Sequence, residues 1–166
     1  MIHKPHWLVA DIDVEMLRKV ERTLRKAKGA AVKFYLSSGG GDQTIGLAIV
    51  DLLTSYKGHV TITVIGSAES MAAIILQAAD TRLITASSYL MLHSGTIDIE
   101  GRTKDVKANL RIIDFQDDLA DQVVLRRILK KKPNYTWARF RAETNHDTYF
   151  SAEKALEWNL VDKISK

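Results

Sequence analysis

An α/β fold with a parallel sheet and crossover helices is predicted by two observations. Short β-branched runs alternate with apolar-periodic helical segments along nearly the whole chain. Two of the strands also run through small, glycine-containing turns directly into helices, as a strand–helix–strand crossover requires.

The elements follow in order. Trp7-Leu-Val9 is a short apolar run suited to an edge strand. Asp13 has the position of an N-cap, and Val14, Leu17, Val20, Leu24 and Ala27 recur at helical spacing. Glu15 near the start and Arg25, Lys26 and Lys28 near the end suit the helix dipole, and Gly29 ends the helix. Residues 32–36 read as a strand that enters Ser37-Ser-Gly-Gly-Gly41, followed by Asp42 and a helix over 44–53. Residues 59–65 read as a second internal strand, which Gly66 breaks, and 70–79 as a buried helix. Residues 82–85 and 89–93 read as two short strands. Residues 103–131 form a long polar segment with a helical stripe of Val106, Leu110, Ile113, Ala120, Val124 and Ile128, interrupted at Asp117. That length predicts a helix leaving the compact body, with Pro133 as its stop. A helix is predicted over 135–143 and another over 152–158, capped by Ser151 and stopped by Asn159. Residues 160–164 close the chain as a strand.

With 166 residues the chain is expected to form a single domain over 1–166. Its composition, 46% apolar and 27% charged with only 2 prolines, excludes disordered, collagen-like and low-complexity classes. A net charge of +4 permits nucleic acid as a partner without requiring it. The basic clusters at 18–28 and 126–132 read as solvated helix faces and ends, so nucleic acid is not expected. The absence of cysteine excludes disulfides, a cysteine zinc site and a thiol nucleophile. No H-E-x-x-H or similar spacing occurs, so neither metal nor cofactor is expected. The first residues lack a signal-peptide pattern and no apolar run is long enough to span a bilayer, so a cytoplasmic protein without membrane contact is expected.

Chemistry is expected at two strand ends. The Gly39-Gly-Gly41 turn can expose backbone N–H groups to an anion or an oxyanion. It fits the dinucleotide fingerprint only in part and contains no P-loop. Ser70 lies between a strand and an apolar helix, with the Met71 N–H beside it, the arrangement of a nucleophile and an oxyanion donor. The alternative role for such a serine is to cap the helix. His93 ends an apolar strand, where ligands collect in parallel sheets, and is placed to act as a general base. The alternative is a partly buried histidine bonded to backbone. His3 and His6 lie near the terminus, His59 begins a strand, and His146 competes with His93 for a role. Asp147 is a candidate to orient a histidine, with no preference by pattern over Asp42 or Asp98.

Together these segments resemble the proteolytic subunit of Clp protease, the ClpP-like serine peptidases, from about Trp7 to Ile164. The 36–51 segment resembles that family's Ser-Pro-Gly-Gly turn and helix, and Gly66-Ser-Ala-Glu-Ser-Met-Ala-Ala73 resembles its nucleophile segment. Tyr89-Leu-Met-Leu-His93 resembles the strand supplying the base, and 147–162 resembles the closing segment around Ser-Ala and Leu-Val-Asp. Four such segments in the right order are specific.

The resemblance implies a crotonase-like spiral of ββα units with a projecting handle helix at about 103–131. It implies Ser70 as nucleophile, His93 as base, Asp147 as orienting acid, and the N–H groups of Gly40 and Met71 as oxyanion hole. Gly39, Gly41, Gly95, Thr96 and Ile97 would hold an extended peptide by strand addition. The implied activity is serine endopeptidase cleavage of peptides or unfolded proteins inside a homo-oligomer, a heptameric ring or two stacked heptamers. Few residues precede the first strand, so the family's N-terminal axial loop, which engages an AAA+ unfoldase, is expected to be largely missing, and no unfoldase partner is assigned. Gly39 replaces the family's proline, Ala72 a common glycine, and Asn159 the glycine before Leu-Val-Asp. Glu69 stands where the family has a small residue. Directed into the site, its charge would raise the pKa of His93 and oppose an oxyanion. A non-catalytic ring-forming subunit and an acyl-CoA hydratase or isomerase of the same superfold are the alternatives.

Overall fold

A computed structural model of the chain describes residues 4–95 and 100–165. Its order is β1 (His6–Val9), α1 (Val14–Ala27), β2 (Val32–Ser38), α2 (Gln43–Ser55), β3 (Val60–Glu69), α3 (Met71–Leu76), β4 (Thr81–Thr85) and β5 (Tyr89–Leu92). Then come α4 (Thr103–Ile128), α5 (Trp137–Glu143), β6 (Thr148–Ser151), α6 (Ala152–Glu157) and β7 (Lys163–Ser165). The predicted α/β class holds. The strand path β1-β2-β3-β4-β7 is parallel throughout, and β5 pairs parallel with the far end of β3.

Local sequence explains the starts and stops. Asp13 caps α1 by accepting the Met16 N–H at 2.8 Å, and Asp42 caps α2 by accepting the Ile45 N–H at 2.9 Å. Lys28 ends α1 in the left-handed region, as Asn159 does after α6. Alternate residues of β2 and β3 (Phe34, Leu36, Ile62 and Val64) are buried, and the wholly apolar α3 packs against both strands.

Two elements differ from the sequence reading. β3 does not stop at Gly66. That residue takes φ +75°, and the strand bends there and changes partner. Residues up to Val64 pair with β2 and β4; past Gly66, Ser67–Glu69 pair with β5 in place of β4, while Ala68 still pairs with Ser38 of β2. β6, where the sequence reading assigns no element, is a four-residue strand antiparallel to β5. It has one buried residue, Phe150, so its apolar signal is minimal. Other boundaries shift by up to three residues: α3 ends at Leu76, α4 at Ile128, the last strand begins at Lys163, and α5 begins at Trp137.

The 26-residue α4 is buried only in its second half, through Ala120, Val124, Leu125 and Ile128. Its first half leaves Leu110, Ile112 and Phe115 in solvent, Phe115 by 62%. Beneath the other end lies a polar lock. Arg82, 2% exposed, donates to Gln77 Oε1 at 2.8 Å, to the Asn159 carbonyl at 2.7 Å and to the Asp162 carboxylate. Arg127 donates to the carbonyls of Gln77 and Ala79 at 2.7 and 2.8 Å. Among the described residues no helix is long and apolar enough to cross a membrane.

Candidate active site

The bend in β3 creates the site. Past Gly66 the strand runs along β5, so its end at Glu69 lies beside Met91, and the Ser70 N–H donates to the Met91 carbonyl at 2.8 Å. Ser70 then turns the chain into α3 with φ 52° and ψ −125°, a sparsely populated conformation for a residue with a Cβ. Its side chain makes no cap hydrogen bond, which sets aside the capping role. Instead its Oγ lies 2.9 Å from His93 Nε2.

His93 follows β5 directly and Asp147 directly precedes β6. The antiparallel register pairs Leu92 with Thr148, which brings the two side chains together. His93 Nδ1 is 3.3 Å from Asp147 Oδ1, with His93 20% and Asp147 57% exposed. A proton on Nδ1 facing the carboxylate leaves Nε2 free to accept from the serine hydroxyl. Three residues separated by 23 and 54 positions thus meet because β5 pairs with β3 on one side and β6 on the other.

The two candidate oxyanion donors differ. The Met71 N–H, first in α3, has no acceptor among the described residues. The Gly40 N–H donates to Ser38 Oγ at 3.2 Å. The Gly40 carbonyl accepts the Ile12 N–H at 2.8 Å, and the Asp42 N–H returns to the Ile12 carbonyl at 2.8 Å, so the turn is held on both sides. Gly40 has φ +105°, and a Cβ there would stand 2.8 Å from the Ser70 Cβ.

Beside Ser70 is a cleft of about 450 Å³, lined by Gly39, Gly41, Met71, His93 and Gly95 of the expected residues. Thr96, Ile97 and Asp98 lie outside the described residues. Glu69 does not line the cleft. Its carboxylate accepts from the Tyr89 hydroxyl at 2.9 Å. The neighbouring Tyr149 hydroxyl has its pKa raised, first by the charge of Asp147 and further by slight desolvation and Glu69. The other described histidines lie apart: His146 bonds Asn145, His59 bonds Thr81 Oγ1 at 2.9 Å, and His6 faces the Phe34 ring.

The cleft also holds Gln43, Asp117, Asp121 and Arg141, which the sequence reading did not place in a site. Their signal was Asp117, the one acid interrupting the apolar stripe of α4. Arg141 bonds Asp121 through Nε and Asp118 through Nη2, each at 3.0 Å. Burial pushes the Asp121 carboxyl up in pKa despite that contact. No group of three or more described His, Asp or Glu residues is arranged to hold a metal ion.

The family model for Clp protease matches residues 1–166. Among solved structures, a ClpP1 mutant from Listeria monocytogenes aligns with a TM-score of 0.85 over 98% of this chain and 91% of that chain, at 16% sequence identity. That likeness is one of fold: an α/β arrangement of the ClpP and crotonase type, a mixed sheet with helices packed against it.

Proposed function

The chain belongs to the Clp protease family, and on that premise we propose that it is a serine endopeptidase acting on unfolded peptides within an oligomeric ring or barrel. The observation that carries this reading is the pair of contacts from His93, 2.9 Å to Ser70 Oγ and 3.3 Å to Asp147 Oδ1. His93 Nε2 takes the Ser70 proton as Oγ attacks the scissile carbonyl. Asp147 holds the ring orientation and stabilises the imidazolium. The Met71 N–H donates to the oxyanion, and Gly40 joins it once its N–H turns from Ser38. The imidazolium protonates the leaving amine, and water then hydrolyses the acyl-enzyme by the same route in reverse.

In this reading Gly39, Gly41 and Gly95 border the bound peptide. The exposed first half of α4 acts as the handle that joins two rings, and a single domain spans 1–166. A second reading, a non-catalytic ring-forming subunit, is favoured by one observation: the Gly40 N–H is engaged by Ser38. An acyl-CoA hydratase or isomerase would use both oxyanion donors without a triad, and the contacts of His93 speak against it. Cleavage of a fluorescently labelled unfolded protein separates the readings. The peptidase reading expects cleavage that Ser70→Ala abolishes and Asp147→Asn lowers by about a thousandfold or more. Assembly without cleavage supports the subunit reading.

A further inference from the structure

Asp117 differs from the other acids of α4. Asp118 and Asp121 share Arg141, whereas Asp117 receives only the Gln43 side-chain amide, Nε2 to Oδ1 at 2.8 Å. Among the described residues it forms no ion pair, and two carboxylates, Asp117 and Asp121, line this end of the cleft against the one guanidinium of Arg141, which Asp118 also engages, so this end is negative. Asp117 lines the same cleft as Ser70, together with the apolar side chains of Ile74, Met91, Ile113 and Phe140.

Resting on the peptidase reading, we infer that this cleft selects a cationic side chain, lysine or arginine, on the residue whose carbonyl Ser70 attacks. That residue's side chain is the one nearest the nucleophile. Its aliphatic stem covers the apolar lining while its charged head reaches the Asp117 carboxylate. An apolar side chain of the same length would strip water from Asp117 and return no partner, and an acidic one would meet like charge. Asp121 cannot serve equally, since Arg141 already occupies it.

The test compares three otherwise identical peptides carrying arginine, norleucine or glutamate at that position. Binding is measured by fluorescence anisotropy to the full-length Ser70→Ala protein, so no turnover is needed. The arginine peptide is expected to bind at least about tenfold tighter than the norleucine peptide, with glutamate weakest, and the margin to shrink with added salt. Adding Asp117→Asn, which keeps an acceptor for Gln43, should bring the arginine-to-norleucine ratio close to one. Norleucine binding as well as arginine, a ratio that Asp117→Asn leaves unmoved, or no measurable binding would each overturn the inference. The single-variant ratio decides even where Asp117→Asn fails to fold. Fluorophosphonate labelling of the wild type reads the peptidase assignment separately. Labelling without charge preference removes only this inference, whereas a folded wild type that stays unlabelled removes the peptidase reading and this inference with it.

Discussion

Gly40 passes so close to Ser70 that a Cβ on the glycine would lie 2.8 Å from the serine Cβ and 3.3 Å from its Oγ. Gly40 also has φ +105°, which side-chain-bearing residues avoid. Gly40→Ala is therefore expected to push the glycine turn away from Ser70. Fluorophosphonate labelling should fall by about a hundredfold or more, the scale of one lost oxyanion donor. Stability should fall by about 1–3 kcal/mol from backbone strain. Labelling at the wild-type rate in a folded Gly40→Ala protein would separate the turn from the chemistry.

Ser38 holds the Gly40 N–H at 3.2 Å and competes with any oxyanion for it. Ser38→Ala should release that donor at a cost of about 1 kcal/mol in stability. Acylation by a fluorophosphonate, followed as a second-order rate, is expected to rise. A tenfold fall would instead assign Ser38 to holding the turn in its productive shape.

Arg82 and Asp162 give the fold an acid-sensitive lock. Burial favours the neutral Asp162 carboxyl, yet the Arg82 side chain and its N–H, at 2.7 Å, together outweigh burial and hold its pKa below the usual carboxylate range. A lowered folded pKa contributes stability above the unfolded value near 3.9, lost as pH falls through the folded value. Asp162→Asn leaves a buried guanidinium underpaired and should cost about 2–3 kcal/mol at pH 7 by urea unfolding, the lower range because Asp162 is 37% exposed. The gap to wild type should narrow as pH drops below about 4. A gap unchanged from pH 7 to pH 2 would contradict this account.

In the first half of α4 the apolar side chains of Leu110, Ile112 and Phe115 are exposed. Phe115→Glu, at a position 62% exposed, should leave the melting temperature nearly unchanged. By light scattering it should convert the assembly to smaller species, as expected of a residue at an interface between copies. An unchanged particle mass would remove α4 from the assembly contact.

The strand and helix order was legible because the periodic signals of α1, β2 and β3 agree with the helix starts marked by Asp13 before α1 and Asp42 before α2. The bringing together of Ser70, His93 and Asp147 was legible only through resemblance, since no local pattern joins residues 54 positions apart. What supplies that closeness is β6, a strand with one buried side chain, and a change of partner within β3 at Gly66. Both are tertiary pairings, and a glycine that bends a strand reads locally the same as one that ends it. The Ser38–Gly40 contact is likewise a matter of which way one hydroxyl and one peptide turn. Glu69, whose charge was expected to oppose an oxyanion if turned inward, instead meets Tyr89 because β5 runs alongside it.

The central claim is that His93 and Asp147 activate Ser70. Its most direct test is fluorophosphonate labelling of the assembled protein, read by intact mass and peptide mapping beside Ser70→Ala. The account predicts one adduct per chain, mapped to Ser70 and absent from the variant. A folded, assembled protein that stays unlabelled, or an adduct on another residue, would contradict it.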